Sequence, residues 1–192
     1  MADHGHIIPF IRKWEGGKSR AATDLASRQR LPAELDGVHT NKGVTWTTFL
    51  AAAGACGYEP TAKLFLKMPD EIWERIWKRE YWDAVRGDEI QSQAAADAVA
   101  WWRWMSGAEG TRRVQRVLNA GFGAKLTADG VVGPMTLAAI NAVKPERLTR
   151  EILLARSAHY GEIVRANPGQ IANVHGWMNG LLDFALYQFL PE

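Results

Sequence analysis

The chain has 192 residues, of which 47% are hydrophobic and 23% charged, a composition typical of a soluble globular protein. Its 23 basic and 21 acidic residues give a formal net charge of +2, which favours neither a nucleic-acid partner nor another polyanion. A single cysteine excludes an intramolecular disulfide and a thiolate metal cluster, and the five histidines show no metal-binding spacing. We therefore expect no metal and no cofactor.

The N-terminus lacks the basic start and apolar run of a secretory signal, and no apolar run of about 20 residues could cross a bilayer. We expect a protein made in the cytoplasm without a signal peptide and without stable membrane insertion. If its substrate lies outside the cytoplasm, another component must release it.

The first predicted helix runs from about residue 7 to Glu15 and is closed by Gly16 and Gly17 in the left-handed conformation. Glu15 would then lie in the last turn, where unpaired carbonyls disfavour an anion. Next to those carbonyls and the Trp14 indole, its carboxyl is expected to have a raised pKa and to donate a proton near neutral pH. The alternative is a solvated glutamate at a helix end, which is the commoner case.

Residues 18–43 are polar and rich in turn-forming types, and we expect mostly surface loop there. The loop contains the carboxylates Asp24 and Asp36. The motif HTNKGVTW (39–46) begins near the end of this loop, and its residues Thr40, Asn41 and Lys42 offer polar donors on a turn that could line a cleft. An ordinary loop with a capping threonine is the alternative interpretation.

The rest of the chain shows helical periodicity and few strand-like alternations, so we predict a mainly α fold. One helix begins after Thr45 and stops at Gly54, and a later helix opens with Pro134. The other helical patterns lie at residues 69–82, 91–105, 111–122, 145–164 and 174–190.

Six of the nine tryptophans lie between residues 73 and 104 at helical spacing, which indicates mostly core positions. Trp101, Trp102 and Trp104 cannot all face one way, however. One or more of these indoles could therefore lie on a groove wall, where an apolar ring face with a donor edge suits a sugar ring.

Several short motifs occur in one order along the chain: KWEGG, TNKGVT, Tyr81-Trp82, VQRVL followed by DGVVGPMTLAAIN, and Gly176-Trp177. Together they resemble the glycoside hydrolase family 108 muramidases, over residues 7–180. These are lysozyme-like proteins whose C-terminal half resembles a peptidoglycan-binding module. The resemblance implies a lysozyme-like α+β fold with a catalytic part at 1–88 and an integrated helical C-terminal part at 89–192.

The resemblance also implies a peptidoglycan hydrolase that cleaves the β-1,4 bond between N-acetylmuramic acid and N-acetylglucosamine in the bacterial wall. A phage or prophage lysis protein, which reaches the wall through a membrane hole made by another protein, would fit the expected lack of a signal peptide. The glutamate of the EGG motif, Glu15, would be the general acid, and Asp24 or Asp36 would supply the second carboxylate that glycosidic cleavage requires. The cleft would lie between the end of the first helix, the 18–43 loop and the helix bearing Tyr81. The candidates for binding the sugar are Thr40, Asn41, Tyr81, Trp82 and Trp101.

Two departures from the family pattern support a different class of function. The loop between Glu15 and Thr40 is longer than is usual in the family. In addition, Trp101 and Met105 stand where many relatives carry an aspartate and an asparagine. A catalytically impaired peptidoglycan-binding or secretion-associated protein is therefore the main alternative. A helical interaction protein that uses the tryptophan-rich surface is a third reading.

Overall fold

The computed structural model describes residues 1–22 and 25–189 and divides into two compact units. One unit is Ile11–Glu80, and the other combines Met1–Phe10 with the chain from Tyr81 onward. Helix α1 (Ile8–Trp14) begins in the second of these and ends in the first. The predicted division of the chain near residue 88 stays a prediction.

The Ile11–Glu80 unit contains a small antiparallel sheet and three helices. Its strands β1 (Lys18–Ser19), β2 (Thr40–Asn41) and β3 (Val44–Thr45) pair in the order β1-β2-β3. Lys42 and Gly43 join β2 to β3 and both have positive φ, the geometry of a two-residue hairpin turn. The loop expected at 18–43 thus begins and ends in short strands, which are too short to show an alternating pattern.

Helices α2 (Trp46–Ala53), α3 (Ala62–Lys67) and α4 (Asp70–Trp77) complete this unit. The predicted start of α2 is confirmed, since the Thr45 hydroxyl accepts a hydrogen bond from the N–H of Thr48. Rings of Trp46, Phe49 and Phe65 pack together with centroids 5.2–5.7 Å apart. This aromatic cluster holds α2 and α3 beside the sheet.

The other unit is built on α5 (Gln93–Phe122), α6 (Pro134–Ala142), α7 (Pro145–Ala166) and α8 (Ile171–Phe189). The two helices expected at 91–105 and 111–122 are one element, broken by a kink at Gly107 with φ 56° and ψ −142°. Glycine tolerates this backbone conformation, which other residues rarely adopt. The expected start of α6 at Pro134 is confirmed, as is the mainly α fold class. No helix within the two described ranges is long and apolar enough to span a membrane.

Buried Asp97 on α5 organises a polar network within this unit. Its carboxylate, which is 0% exposed, lies 2.7 Å from His6 Nδ1 and accepts hydrogen bonds from Gln93 at 2.8 Å and Gln188 at 2.9 Å. Burial raises the pKa of the Asp97 carboxyl, because the loss of water disfavours its charged form more than these partners favour it.

We expect the wild-type chain to lose stability relative to Asp97→Asn as the pH rises. A carboxyl whose folded pKa lies above its ordinary value of 3.8 contributes stability that is fully present below pH 3.8 and lost through the folded pKa. Each unit of that rise corresponds to about 1.4 kcal/mol. Urea unfolding of both proteins between about pH 3 and pH 7 measures the change, and a pH-independent difference would contradict it.

Candidate active site

Glu15 lies directly after the last helical residue of α1. Its N–H donates to the carbonyl of Ile11 at 3.0 Å, so it continues the last turn as expected, and its side chain is half-buried. The expected left-handed closure is wrong, because neither Gly16 nor Gly17 has a positive φ. Apart from the adjoining residues, no atom of the described chain lies within 4 Å of a Cβ built on either glycine. The segment after α1 is therefore open on its glycine side.

Glu15 lines a cavity of about 310 Å³ that lies wholly within the Ile11–Glu80 unit. Three segments distant in sequence build its wall: the end of α1 with the two glycines, the β2–β3 turn, and the start of α4. Besides Glu15, the lining residues are Arg12, Gly16, Gly17, Lys42, Asp70 and Trp73.

Lys42 connects these three segments through its backbone and its side chain. Its N–H donates to the carbonyl of Gly17 at 3.2 Å, and its own carbonyl accepts the indole N–H of Trp73 at 2.8 Å. Its ammonium donates to Asp70 Oδ1 at 2.5 Å and to the carbonyl of Met68 at 2.9 Å. These four hydrogen bonds join the β2–β3 turn to the segment after α1 and to the start of α4.

Arg12 and Asp70 complete the charge distribution of the cavity. The guanidinium lies 5.3 Å from the ring centroid of Trp73, 3.4 Å from Asp70 Oδ2 and 3.4 Å from Glu74 Oε2. The hydrogen bond from Lys42, followed by the charges of Lys42 and Arg12, lowers the pKa of the Asp70 carboxyl. The cavity thus holds Glu15 together with a carboxylate that stays ionised at neutral pH.

Of the two aspartates expected to assist Glu15, the structure describes Asp36. Asp36 follows a short 3-10 helix with φ 47°, its side chain is 89% exposed, and its Oδ2 pairs with Arg20 at 3.1 Å. It is not among the residues that line the Glu15 cavity. Asp24 lies outside the described residues.

Thr40 and Asn41 form β2, next to the turn that lines the cavity. The Thr40 hydroxyl lies 2.9 Å from Nδ1 of His39. Asn41 is 3% exposed, and its amide donates to the carbonyls of Phe65 at 2.7 Å and Leu66 at 3.3 Å. In this structure the Asn41 side chain anchors the end of α3 to the sheet.

We expect Asn41→Ala to lower the free energy of unfolding by about 2 kcal/mol, because two carbonyls lose a buried donor. Chemical denaturation of the two proteins measures this. Thr47→Ala, which removes an exposed hydroxyl from α2, should cost less than half as much. A smaller effect of Asn41→Ala than of Thr47→Ala would contradict the anchoring role.

The aromatic candidates Tyr81, Trp82 and Trp101 belong to the other compact unit. Trp82 is 0% exposed and donates its indole N–H to Asp88 at 2.7 Å. Trp101 is 4% exposed, with the Phe184 ring stacked at 4.3 Å and the Arg156 guanidinium at 3.5 Å. Both rings are buried in the core of this unit. Tyr81 is half-buried, with its ring against Trp104.

The sequence placed Lys42 on a turn that could line a cleft, but it did not assign the other cavity residues Arg12, Asp70 and Trp73 to a site. Lys42 was visible as a donor on a polar turn, and Trp73 as part of a helical stripe. Arg12 and Asp70 carry no local signal, because the two are 58 positions apart and meet only after folding.

Comparison with known proteins gives two family matches along the chain. The family model described as Glycosyl hydrolase 108 matches residues 8–107, and the model described as Predicted Peptidoglycan domain matches residues 109–182. The solved structure of SagA from Brucella abortus is similar over 96% of this chain and 92% of that chain, with a TM-score of 0.71 and 21% sequence identity. At that identity the likeness shows a shared fold. No curated protein matches the sequence.

Proposed function

The chain belongs to the glycosyl hydrolase 108 family as a lysozyme-like peptidoglycan hydrolase, and we propose that it cleaves the β-1,4 bond between N-acetylmuramic acid and N-acetylglucosamine. Glu15 is the general acid of this proposal. The observation that carries it is the position of Glu15: a half-buried carboxyl at the end of α1, on the wall of a cavity open beside Gly16 and Gly17.

Cleavage of a glycosidic bond requires two groups in the site. The acid gives its proton to the bridging oxygen as the glycosidic bond breaks, and a carboxylate or a water held by one must meet the positive charge that develops at the anomeric carbon. A half-buried carboxyl beside the carbonyl end of a helix suits the first role. For the second we keep Asp24 and Asp36 as the proposed candidates, and Thr40 and Tyr81 as proposed sugar contacts.

Digestion of purified peptidoglycan tests the proposal. The wild-type protein should release new reducing ends in proportion to time and enzyme concentration. Sedimentation of the protein with the wall but without any product would instead favour the catalytically impaired binding protein. Absence of both binding and product would favour a helical interaction protein and contradict the proposed function.

The second carboxylate is identified by comparing Asp24→Asn with Asp36→Asn. The variant that lacks the second catalytic carboxylate should hydrolyse peptidoglycan at least about 100-fold more slowly than the wild type. The other variant should retain most of the wild-type rate. Exposure of Asp36 makes its own substitution nearly neutral for folding, so a loss of activity there would report on catalysis. Full activity in both variants would exclude both residues from the role.

A further inference from the structure

Lys42 occupies a backbone position that lysine does not favour. Its φ is 48°, in the left-handed region where a Cβ is strained, and it stands in a hairpin turn that usually takes asparagine, aspartate or glycine. Strain of this kind persists only where surrounding contacts over-determine it, and it is concentrated at functional sites. The question is what the lysine side chain does that asparagine or glycine could not.

The ammonium of Lys42 ties the turn to a second strained position. It donates to the carbonyl of Met68, whose φ is 27°, and to the carboxylate of Asp70 two residues later. The Lys42 side chain is 35% exposed and that of Asp70 is 61% exposed, so solvent screens the charge attraction, and the link depends on the geometry of the two hydrogen bonds. An asparagine or glycine at this position could not span the distance to the start of α4.

The backbone of Lys42 reaches the segment that carries Glu15. Its N–H holds the carbonyl of Gly17, two residues after Glu15, and its carbonyl holds the indole of Trp73, which is 1% exposed. Displacing the turn would therefore move the Glu15–Gly17 segment relative to α4.

We infer that Lys42 is a positioning residue for catalysis: its ammonium clamps the β2–β3 turn to the start of α4 and so fixes the Glu15–Gly17 segment on the cavity wall. The inference rests on the proposed function of Glu15. A general acid must stand within hydrogen-bond reach of the oxygen that it protonates, and a displacement of about 1 Å can lower the rate about 100-fold.

Lys42→Gly distinguishes an effect of Lys42 on the position of Glu15 from an effect on the stability of the fold. Glycine accepts a φ of 48° without strain and keeps both backbone hydrogen bonds, so relief of strain should offset much of the lost ion pair. We expect a Tm within about 3 °C of the wild type. On soluble peptidoglycan fragments, kcat should fall about 10- to 100-fold while KM changes less than about 2-fold.

Four further variants are compared with Lys42→Gly. Lys42→Met should show the same loss of kcat with a lower Tm, because it keeps the strain and loses the clamp. Lys63→Met, which removes an exposed lysine of the same unit, should match the wild type. Asp70→Asn should reduce kcat as well, and the double variant Lys42→Met with Asp70→Asn should be no slower than the worse single variant, because both break one interaction.

A wild-type kcat in Lys42→Gly would overturn the inference. A raised KM with unchanged kcat would also overturn it, since that result would make Lys42 a substrate contact. Failure of the proposed function looks different: the wild-type protein itself would release no reducing ends, or Glu15→Gln would be as active as the wild type.

Discussion

Replacing Glu15 by glutamine is expected to slow peptidoglycan hydrolysis by about 10²- to 10⁴-fold, the usual contribution of a general acid. Glutamine keeps the size and polarity of the side chain but cannot deliver a carboxyl proton to the bridging oxygen. Because the residue follows α1 and is only half-buried, the substitution should leave folding almost unchanged. Release of reducing ends from purified peptidoglycan measures the effect.

A matched substitution controls for loss of charge. Glu59 is an exposed glutamate of the same unit, and Glu59→Gln should hydrolyse peptidoglycan at the wild-type rate. Equal Tm values for the three proteins would show that folding is intact. Retention of more than about a tenth of the wild-type rate in Glu15→Gln would remove Glu15 from the acid's role.

Gly110→Ala is expected to lower the free energy of unfolding by about 3 kcal/mol or more, the largest stability effect that we predict. A Cβ at this position would stand 2.2 Å from the carbonyl oxygen of Trp102. That oxygen belongs to buried helix backbone just before the Gly107 kink, so it cannot move aside without disturbing α5. Urea unfolding followed by circular dichroism measures the loss.

Gly121 gives the control in the same helix. Beyond the neighbouring backbone of its own helix, no described atom lies within 4 Å of a Cβ built at Gly121, and its φ is not positive. Gly121→Ala should therefore stabilise the chain by about 0.5 kcal/mol, because alanine has the better helix propensity. Equal effects of the two substitutions would mean that the close packing at the kink contributes little to stability.

The helices could be predicted where local signals specify them. Thr45 caps α2 and Pro134 starts α6, and both signals act within one turn of the chain. The small sheet could not be predicted, because its strands have two residues each and β1 pairs with β2 across a connection of 20 residues. The kink at Gly107 was equally hidden, since a glycine can end a helix or bend one.

Among the residues that line the cavity, Glu15 carried the clearest signal in the sequence. Glu15 attracted attention because an acidic residue at a carbonyl end breaks a local rule. The role of Lys42 depends on contacts with Asp70, 28 positions away, and with Gly17, 25 positions away. Burial of Trp82 and Trp101 likewise follows from tertiary packing, which helical spacing indicates but does not decide for each ring.

Mass spectrometry of the fragments that the wild-type protein releases from purified peptidoglycan in ¹⁸O-labelled water tests most directly whether it hydrolyses the proposed β-1,4 bond with Glu15 as the acid. Hydrolysis of this bond predicts N-acetylmuramic acid at every new reducing end. The labelled water oxygen should be on C1 of that sugar, because the bridging oxygen leaves with N-acetylglucosamine. With Glu15→Gln, these fragments should be released at least about 100-fold more slowly. New ends at N-acetylglucosamine, or fragments without the label, would contradict the account.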